Sequence, residues 1–206
     1  MKLYTSNRAP NPRRVRWVMA EKGVADVELV EVDILTGEHR QPAYRDKVGV
    51  PHLPALELDD GTCISESIAI CRYLEAVHPE PNLFGRDARE QAIIEMWTRR
   101  CEFYLANPLM LNVRHSHPAL AALEAVQSPH VADYNRVSAE RFMKTLDRHL
   151  EGRDFIAADR FTIADIVAVV GLDFARLVRY RPPAEFENLS RWLEACRARP
   201  AAQAGA

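Results

Sequence analysis

The stretch HPEPNLFG, residues 78 to 85, separates two halves of the chain that have different sequence patterns. Its two prolines and its glycine interrupt regular structure, and a change of pattern across such a stretch indicates a domain boundary. Before it, short β-rich runs alternate with one-sided helical runs, whereas every periodic segment after it is helical. We therefore predict an α/β domain over residues 1–78, a linker over 79–86 and an all-α helical-bundle domain over 87–206.

The first domain follows the order βαβ-α-ββα. KLYT predicts a first strand and VELVEVD a second, with a helix between them that has Asn11 as its N-cap, Pro12 at its first position and Gly23 after its end. A strand-helix-strand order implies that the two strands pair in parallel. The polar segment TGEHRQPAYRDKV then predicts a loop with a short helix.

Two further strands are predicted in LPALELDDGTCIS, joined by a hairpin at Asp59-Asp60-Gly61, and a helix follows in SESIAICRYLE. In the second domain, FTIADIVAV predicts a helix with Thr162 as N-cap and Asp165 three residues later. This spacing is typical of a capping box, in which each residue satisfies a backbone N–H near the other.

Composition narrows the class of function. A net charge of −2 over 206 residues provides no basic field for nucleic acid or for an anionic membrane surface. Met1 leads directly into KLYTS, and no apolar run approaches the roughly 20 residues that span a bilayer. The chain has four widely spaced cysteines, Cys63, Cys71, Cys101 and Cys196. This spacing predicts reduced thiols, with neither disulfides nor a metal site. We predict a cytoplasmic enzyme or binding protein whose partners are small molecules or proteins.

The junction between the last predicted strand and its helix holds Ser65, Glu66 and Ser67. A helix N-terminus offers unpaired N–H groups and a partial positive charge, which attract a carboxylate. Ser67 adds a hydroxyl donor and Glu66 can accept from an ammonium, so together they suit the two ends of an amino-acid head group. A capped helix whose acidic residue only complements the macrodipole is the alternative.

Leu53-Pro54 precedes the third predicted strand. Proline is ordinary at the first position of a strand. A cis bond at this position would turn the N–H and C=O of Leu53 outward, where they could pair with the backbone of a peptide ligand.

Together these elements resemble the cytosolic glutathione transferases. The resemblance rests on the α/β half, LPAL before a hairpin, SESIAICRYLE, the proline-rich linker and FTIADIVAV, and it covers nearly the whole chain. SNRAPNPRRVRWVMAEKG, TGEHRQPAY and FGRDAREQAIIEMW are most similar to the theta-related bacterial and fungal branch. The resemblance implies a thioredoxin-like first domain, glutathione as co-substrate, no metal, and a homodimer that acts in detoxification.

The resemblance also implies roles for individual residues. Glu66 and Ser67 would bind the γ-glutamyl amine and carboxylate of glutathione. Leu53, before a cis Pro54, would pair its backbone with the cysteinyl unit. The glycine carboxylate would meet two histidines, His39 and His52, although each could also be a solvated loop residue. Pro51 stands where relatives carry a flexible glycine, so we expect the loop that holds His52 to be displaced.

The family's activating serine falls on Ala9, which has no hydroxyl, and no tyrosine or cysteine replaces it within the turn. Because the thiolate is the nucleophile, another group must stabilise it. The candidates are the Asn11 amide, the Ser6 hydroxyl, the backbone N–H groups of the first helix, and a water held by His115, as is thought for some fungal relatives. Asn11 as a plain helix cap is the alternative.

These expectations favour a transferase that joins glutathione to small hydrophobic electrophiles. The second domain would contribute the electrophile pocket, lined by Tyr104, Leu105, Pro108, Leu111 and Phe174. The alternative is a weakly active or inactive module of the same fold that binds glutathione or a partner protein. A thiol oxidoreductase is disfavoured, because no cysteine precedes Cys63.

Overall fold

The computed structural model describes residues 1–204 and divides the chain into two compact units. The first consists of Met1–Asn82 and the described residues from Pro200, and the second of Leu83–Arg199. The predicted second domain includes the described residues from Pro200, whereas their contacts lie with the first unit. They return to the first unit, where a 3-10 turn over Pro200–Gln203 packs on the first helix and Arg13 Nη2 donates to the Ala202 carbonyl at 3.2 Å.

The first unit contains a four-stranded mixed sheet of order β2-β1-β3-β4. Its strands are β1 (Lys2–Thr5), β2 (Glu28–Glu31), β3 (Ala55–Glu57) and β4 (Cys63–Ser65). β1 pairs in parallel with β2 and antiparallel with β3, which pairs antiparallel with β4. The predicted parallel pair and the hairpin are confirmed.

Three α-helices accompany the sheet: α1 (Pro10–Lys22), α2 (Pro42–Val48) and α3 (Ser67–Val77), with a 3-10 turn over Glu38–Arg40 before α2. Gly23 ends α1 in the left-handed conformation, φ 64°, as predicted.

The predicted start of α1 is wrong. Ala9 is the N-cap, with extended backbone, so Pro10 takes the first helical position and Asn11 lies within the first turn. The helix begins earlier than expected because the chain already turns at Ser6, whose carbonyl accepts from the Ala9 N–H at 3.4 Å. The fixed φ of Pro10 suits the position that follows.

The second unit is helical within the described residues, as predicted. Its helices are α4 (Ala88–Cys101), α5 (Asn107–Ser116), α6 (Pro129–His149), α7 (Ile163–Phe174) and α8 (Glu187–Arg197), and a π-helical turn over Glu102–Ala106 joins α4 to α5. Every residue from Ile163 to Leu172 is buried, so α7 is the central helix. A Cβ on Gly171 would lie 2.7 Å from the Ala106 Cα, and this close approach requires glycine.

The predicted capping box at the start of α7 is present. Asp165 is fully buried and accepts from the Thr162 N–H at 2.9 Å, the Ile156 N–H at 3.0 Å and the Trp192 Nε1–H at 2.9 Å. Burial raises the pKa of this carboxyl, against the effect of its hydrogen bonds. One side chain thereby joins three segments of the second unit.

Candidate functional site

The four strands of the first unit bring five of the predicted site residues to one edge of the sheet. The register pairs Thr5 with Glu31, Tyr4 with Ala55, and Ala55 with Ser65. The ends of β1, β2 and β4 therefore lie beside the beginning of β3. The segments that leave or enter the sheet at this edge contain Ser6, Leu53, Pro54, Glu66 and Ser67.

Glu66 occupies an unusual backbone conformation at the start of α3. Its φ of 69° and ψ of 117° lie outside the regions that residues other than glycine normally adopt. Its side chain is exposed, whereas Ser67, the first residue of the helix, is buried. Backbone strain of this kind concentrates at binding sites. The exposed carboxylate can accept from an ammonium, while the helix N-terminus can bind a carboxylate.

A buried arginine behind Ser67 was missed by the sequence analysis. Arg14 of α1 is 1% exposed, and its Nη1 donates to Ser67 Oγ at 3.3 Å. This bond engages the oxygen as acceptor and leaves the hydroxyl proton available for a ligand. The run RRVR contained a signal, because two of its arginines fall among the buried positions of α1.

Arg16 is the other buried arginine of α1. It donates to Thr5 Oγ1 at 2.7 Å, at the end of β1. Burial lowers the pKa of its guanidinium, and the negative charge of Glu31 opposes this effect. The two buried arginines thus tie α1 to both the sheet and α3.

The Leu53-Pro54 bond is cis. The Leu53 side chain packs against the apolar cluster formed by Val32, Tyr44, Val48 and Ala55. Within residues 1–204 the Leu53 N–H and C=O make no backbone hydrogen bond. They are available to an extended peptide ligand.

His39 lies in the 3-10 turn after β2 and is buried, with 8% exposure. Its Nδ1 is enclosed and has no hydrogen-bond partner among the described residues. Burial lowers the pKa of the imidazole, and the charges of Arg40 and His52 lower it further. His52 itself is exposed. Arg40 is therefore the lasting positive charge beside His39, and a carboxylate bound here would favour the protonated imidazole of His39.

The turn before α1 has no side-chain hydroxyl at Ala9, the N-cap. Ser6 is 1% exposed, and Asn11, in the first helical turn, has a buried Oδ1 without a hydrogen-bond partner among residues 1–204. Because amide oxygen and nitrogen are assigned from the hydrogen bonds around them, this position can equally hold the Asn11 NH₂ donor.

His115 belongs to the second unit, and both ring nitrogens have neighbours there. Nδ1 accepts from the Ser128 N–H at 3.1 Å, which leaves the proton on Nε2, 3.9 Å from Glu124 Oε2. The residue lines an open cavity of about 650 Å³, together with Asn112, Ser116, Gln127, Pro129, Ala132, Asp133 and Arg136. Its contacts hold the connection between α5 and α6.

The residues predicted to line an electrophile pocket have different environments. Leu105 and Pro108 are buried in the second unit, and Phe174 is half-buried. Tyr104 and Leu111 are exposed, and the Tyr104 ring lies 5.7 Å from the Phe142 ring. Leu105 and Pro108 thus contribute to packing, whereas Tyr104 and Leu111 remain accessible.

Two sequence predictions concern absent features. All four cysteines are free, and only Cys63 is not buried. No group of three or more potential metal ligands occurs within residues 1–204, and no helix in that range is both long and apolar enough to cross a membrane.

The sheet order β2-β1-β3-β4 with its mixed pairing, followed in the chain by an all-α unit, is that of the two-domain thioredoxin-like class. The chain belongs to the glutathione S-transferase family. Residues 3–82 match the family model described as the glutathione S-transferase N-terminal domain, and residues 108–200 match the C-terminal domain.

Relatives cover almost the whole chain. Glutathione S-transferase 2 of Saccharomyces cerevisiae is 35% identical over 202 residues, which are 97% of this chain and 87% of the relative. The crystal structure of Gtt2 from that yeast has a TM-score of 0.93 at 34% identity, with full coverage of both chains. A glutathione S-transferase domain-containing protein of Marinobacter aquaeolei VT8 has a TM-score of 0.92 at 39% identity, covering 98% of this chain and 99% of that one. The predicted family and fold are confirmed.

Proposed function

We propose that the protein is a glutathione transferase that joins the thiolate of glutathione to small hydrophobic electrophiles. The observation that carries the proposal is the start of α3, where exposed Glu66 precedes Ser67, whose oxygen accepts from buried Arg14. Glu66 would accept from the γ-glutamyl ammonium. Ser67 and the helix N–H groups would bind the adjacent carboxylate.

The rest of glutathione would extend along the same sheet edge. The free N–H and C=O of Leu53, before cis Pro54, would pair with the cysteinyl unit. His39 and His52 would bind the glycine carboxylate, since their positions next to Arg40 suit an anion. This direction, from α3 toward the 3-10 turn, uses all the residues that the resemblance assigns to glutathione binding: Glu66, Ser67, Leu53, Pro54, His39 and His52.

Thiolate stabilisation would come from groups other than the residue at position 9. A free thiol has a pKa of about 8.5, and each unit of depression requires about 1.4 kcal/mol. One good hydrogen bond supplies roughly that amount. Ser6, Asn11 and the N–H groups of α1 are the candidates in the first unit, and a water held by His115 is the candidate from the second.

The proposal includes the family's usual setting. The helical domain would contribute the electrophile pocket, and the protein would act in detoxification as a cytoplasmic homodimer without a metal. Sedimentation equilibrium tests the dimer directly.

A titration of bound glutathione by ultraviolet thiolate absorbance tests the transferase. We expect a thiol pKa at least one unit below 8.5, together with conjugation of 1-chloro-2,4-dinitrobenzene. Glu66→Gln and Ser67→Ala should weaken binding. Repeating the titration with Ser6→Ala, Asn11→Ala and His115→Ala locates the donor, and an unchanged pKa in all three leaves the α1 backbone.

A glutathione-binding module without transferase activity is the second candidate, favoured by the missing hydroxyl at Ala9. It predicts that glutathione binds but that its thiol pKa stays near the free value of about 8.5. A wild-type protein that does not bind glutathione contradicts both candidates.

A further inference from the structure

Tyr44 is a buried tyrosine of α2 whose hydroxyl reaches the segment before β3. Its ring meets the Tyr4 ring edge-on, with 5.8 Å between centroids, and packs in an apolar cluster with Val32, Val48 and Ala55. The hydroxyl donates to the His52 carbonyl oxygen at 2.6 Å. Burial raises the pKa of the phenol, so it remains protonated and a donor at neutral pH.

The segment that Tyr44 holds has few other restraints. Pro51 and Pro54 carry no N–H, and residues 50–54 form no backbone-to-backbone hydrogen bond within the described chain. The Tyr44 hydroxyl therefore makes the hydrogen bond that fixes this segment between α2 and β3. Removing the Tyr44 hydroxyl would remove this hydrogen bond to the segment, while the apolar contact of the Leu53 side chain would remain.

α2 itself is fastened to the sheet, so the Tyr44 hydroxyl is presented from a fixed helix. Lys47 Nζ donates to Tyr4 Oη at 2.9 Å and contacts Glu57 Oε2 at 3.0 Å, and the Tyr4 hydroxyl donates to the same carboxylate oxygen at 2.5 Å. Lys47 and Glu57 each form a hydrogen bond with Tyr4 and another with one another. These bonds raise the pKa of Lys47 and lower the pKa of Glu57.

The segment carries two groups that face the ligand in the proposed function: the Leu53 backbone and the His52 imidazole. A loop that is already ordered loses little conformational entropy when the ligand binds. A loose loop must become ordered on binding, and this loss of entropy weakens the affinity. The glycine end of glutathione depends most on this order, because His52 has no other hydrogen-bond anchor in the described residues.

We propose that Tyr44 is a positioning residue which, by fixing the His52 carbonyl, makes the site selective for thiol peptides that end in a glycine carboxylate. This inference rests on the proposed function. It concerns selectivity between glutathione and γ-glutamylcysteine, which has the same head group and thiol but lacks the glycine. Loosening the segment should cost glutathione more affinity than it costs the shorter thiol.

Calorimetric titration of both thiols against wild type and Tyr44→Phe tests the proposal. Wild type should bind glutathione about tenfold more tightly than γ-glutamylcysteine. In Tyr44→Phe, which keeps the ring, glutathione affinity should fall about tenfold and the preference should shrink to about twofold. In conjugation assays KM for glutathione should rise while kcat at saturation stays close to wild type.

Tyr180→Phe is the matched control, because Tyr180 is also partly buried and its hydroxyl donates to Glu140 within the second unit. It should leave the preference between the two thiols unchanged. Lys47→Met is an independent variant that removes the anchor of α2 without altering the apolar cluster. It should also reduce the preference, and this arm decides the matter if Tyr44→Phe does not fold.

The outcomes separate the two levels of inference. A wild-type protein that binds neither thiol overturns the proposed function, and this inference with it. A wild-type protein that prefers glutathione, with a folded Tyr44→Phe that keeps the same preference, overturns the role of Tyr44 alone. An overall loss of stability would weaken both thiols equally and would leave their ratio unchanged, so it cannot imitate the expected result.

Discussion

Arg14 Nη1 lies 3.3 Å from Ser67 Oγ, so a buried cation of α1 reaches the hydroxyl that begins α3. The bond spans two elements that are far apart in the chain but lie at the same edge of the sheet. It turns a common helix-start serine into a donor with a defined orientation, and it brings positive charge close to a site that suits a carboxylate.

Arg14 and Ser67 should therefore behave as a coupled pair in glutathione binding. We expect Ser67→Ala and Arg14→Met each to weaken binding about tenfold, and the double variant to lose about 1 kcal/mol less than the sum. Calorimetric titration of the four proteins measures this coupling. Arg13→Met is the control, since Arg13 contacts Ala202 instead, and it should bind nearly as well as wild type. Strict additivity would show that the two side chains act independently.

Glu66 should trade stability for binding. Glycine adopts positive φ without a steric penalty, so Glu66→Gly should relieve the backbone strain. Glycine also makes the unfolded chain more flexible, which opposes folding. The net result should be a free energy of unfolding that is higher by about 1 kcal/mol. The same variant should lose most glutathione affinity because the ammonium has no acceptor. Urea unfolding and glutathione titration measure the two effects. Glu66→Gln, which keeps the strained backbone, should weaken binding without gaining stability, and equal stability of all three proteins would contradict the assigned strain.

Ala9→Ser should improve both the helix and the chemistry. Ala9 is the N-cap of α1 and makes no side-chain cap, so a serine there should stabilise the fold by about 0.5–1 kcal/mol. In the proposed function position 9 faces the thiol, so the new hydroxyl should also lower the pKa of the bound glutathione thiol by about one unit. Chemical denaturation and thiolate absorbance report these separately. Ala9→Gly removes the methyl group without adding a donor and should not lower the thiol pKa.

Binding of S-methylglutathione, which has no ionisable thiol, should depend on pH through His39. Burial holds the pKa of His39 below its usual 6.5 in the free protein, whereas a bound carboxylate favours the imidazolium and raises it. Binding therefore takes up a proton, and affinity should increase as the pH falls from 7 through this range, then level off below the pKa of the free protein.

Replacing His39 provides the check on this pH dependence. In His39→Gln the part of the pH profile that His39 causes should disappear, while His130→Gln, at an exposed position of the second unit, should keep the wild-type curve. A His39→Gln profile that is identical to wild type would remove His39 from the glycine carboxylate.

Local patterns predicted most elements, because the residues that define them are close together in the chain. Gly23, the hairpin at Asp59-Asp60-Gly61 and the Thr162–Asp165 capping box act over a few residues, and each is present as expected. For α1 the sequence pattern predicts a start that is too late, since Pro10 and Pro12 both suit a first helical turn. Only the turn at Ser6 decides between them.

The supporting contacts of the candidate site could not be predicted in this way. Arg14 lies 53 positions before Ser67 in the chain, so no local pattern links them. The Tyr44 hydroxyl donates to a backbone carbonyl, and every residue has one, so the sequence does not indicate which carbonyl it binds. The neighbours of His115 come from the next helix connection. Residue chemistry and the family resemblance predict groups that would touch the ligand, whereas the groups behind them depend on tertiary packing.

The return of the chain at Pro200 makes the first unit discontinuous in sequence. A fragment cut after Asn82 would lack the turn that covers α1 and the carbonyl of Ala202 that Arg13 binds. Fusing Pro200 and the residues after it to such a fragment through a flexible spacer would restore both contacts. A version of this unit made on its own should therefore combine two separate segments of the sequence, Met1–Asn82 and the residues from Pro200.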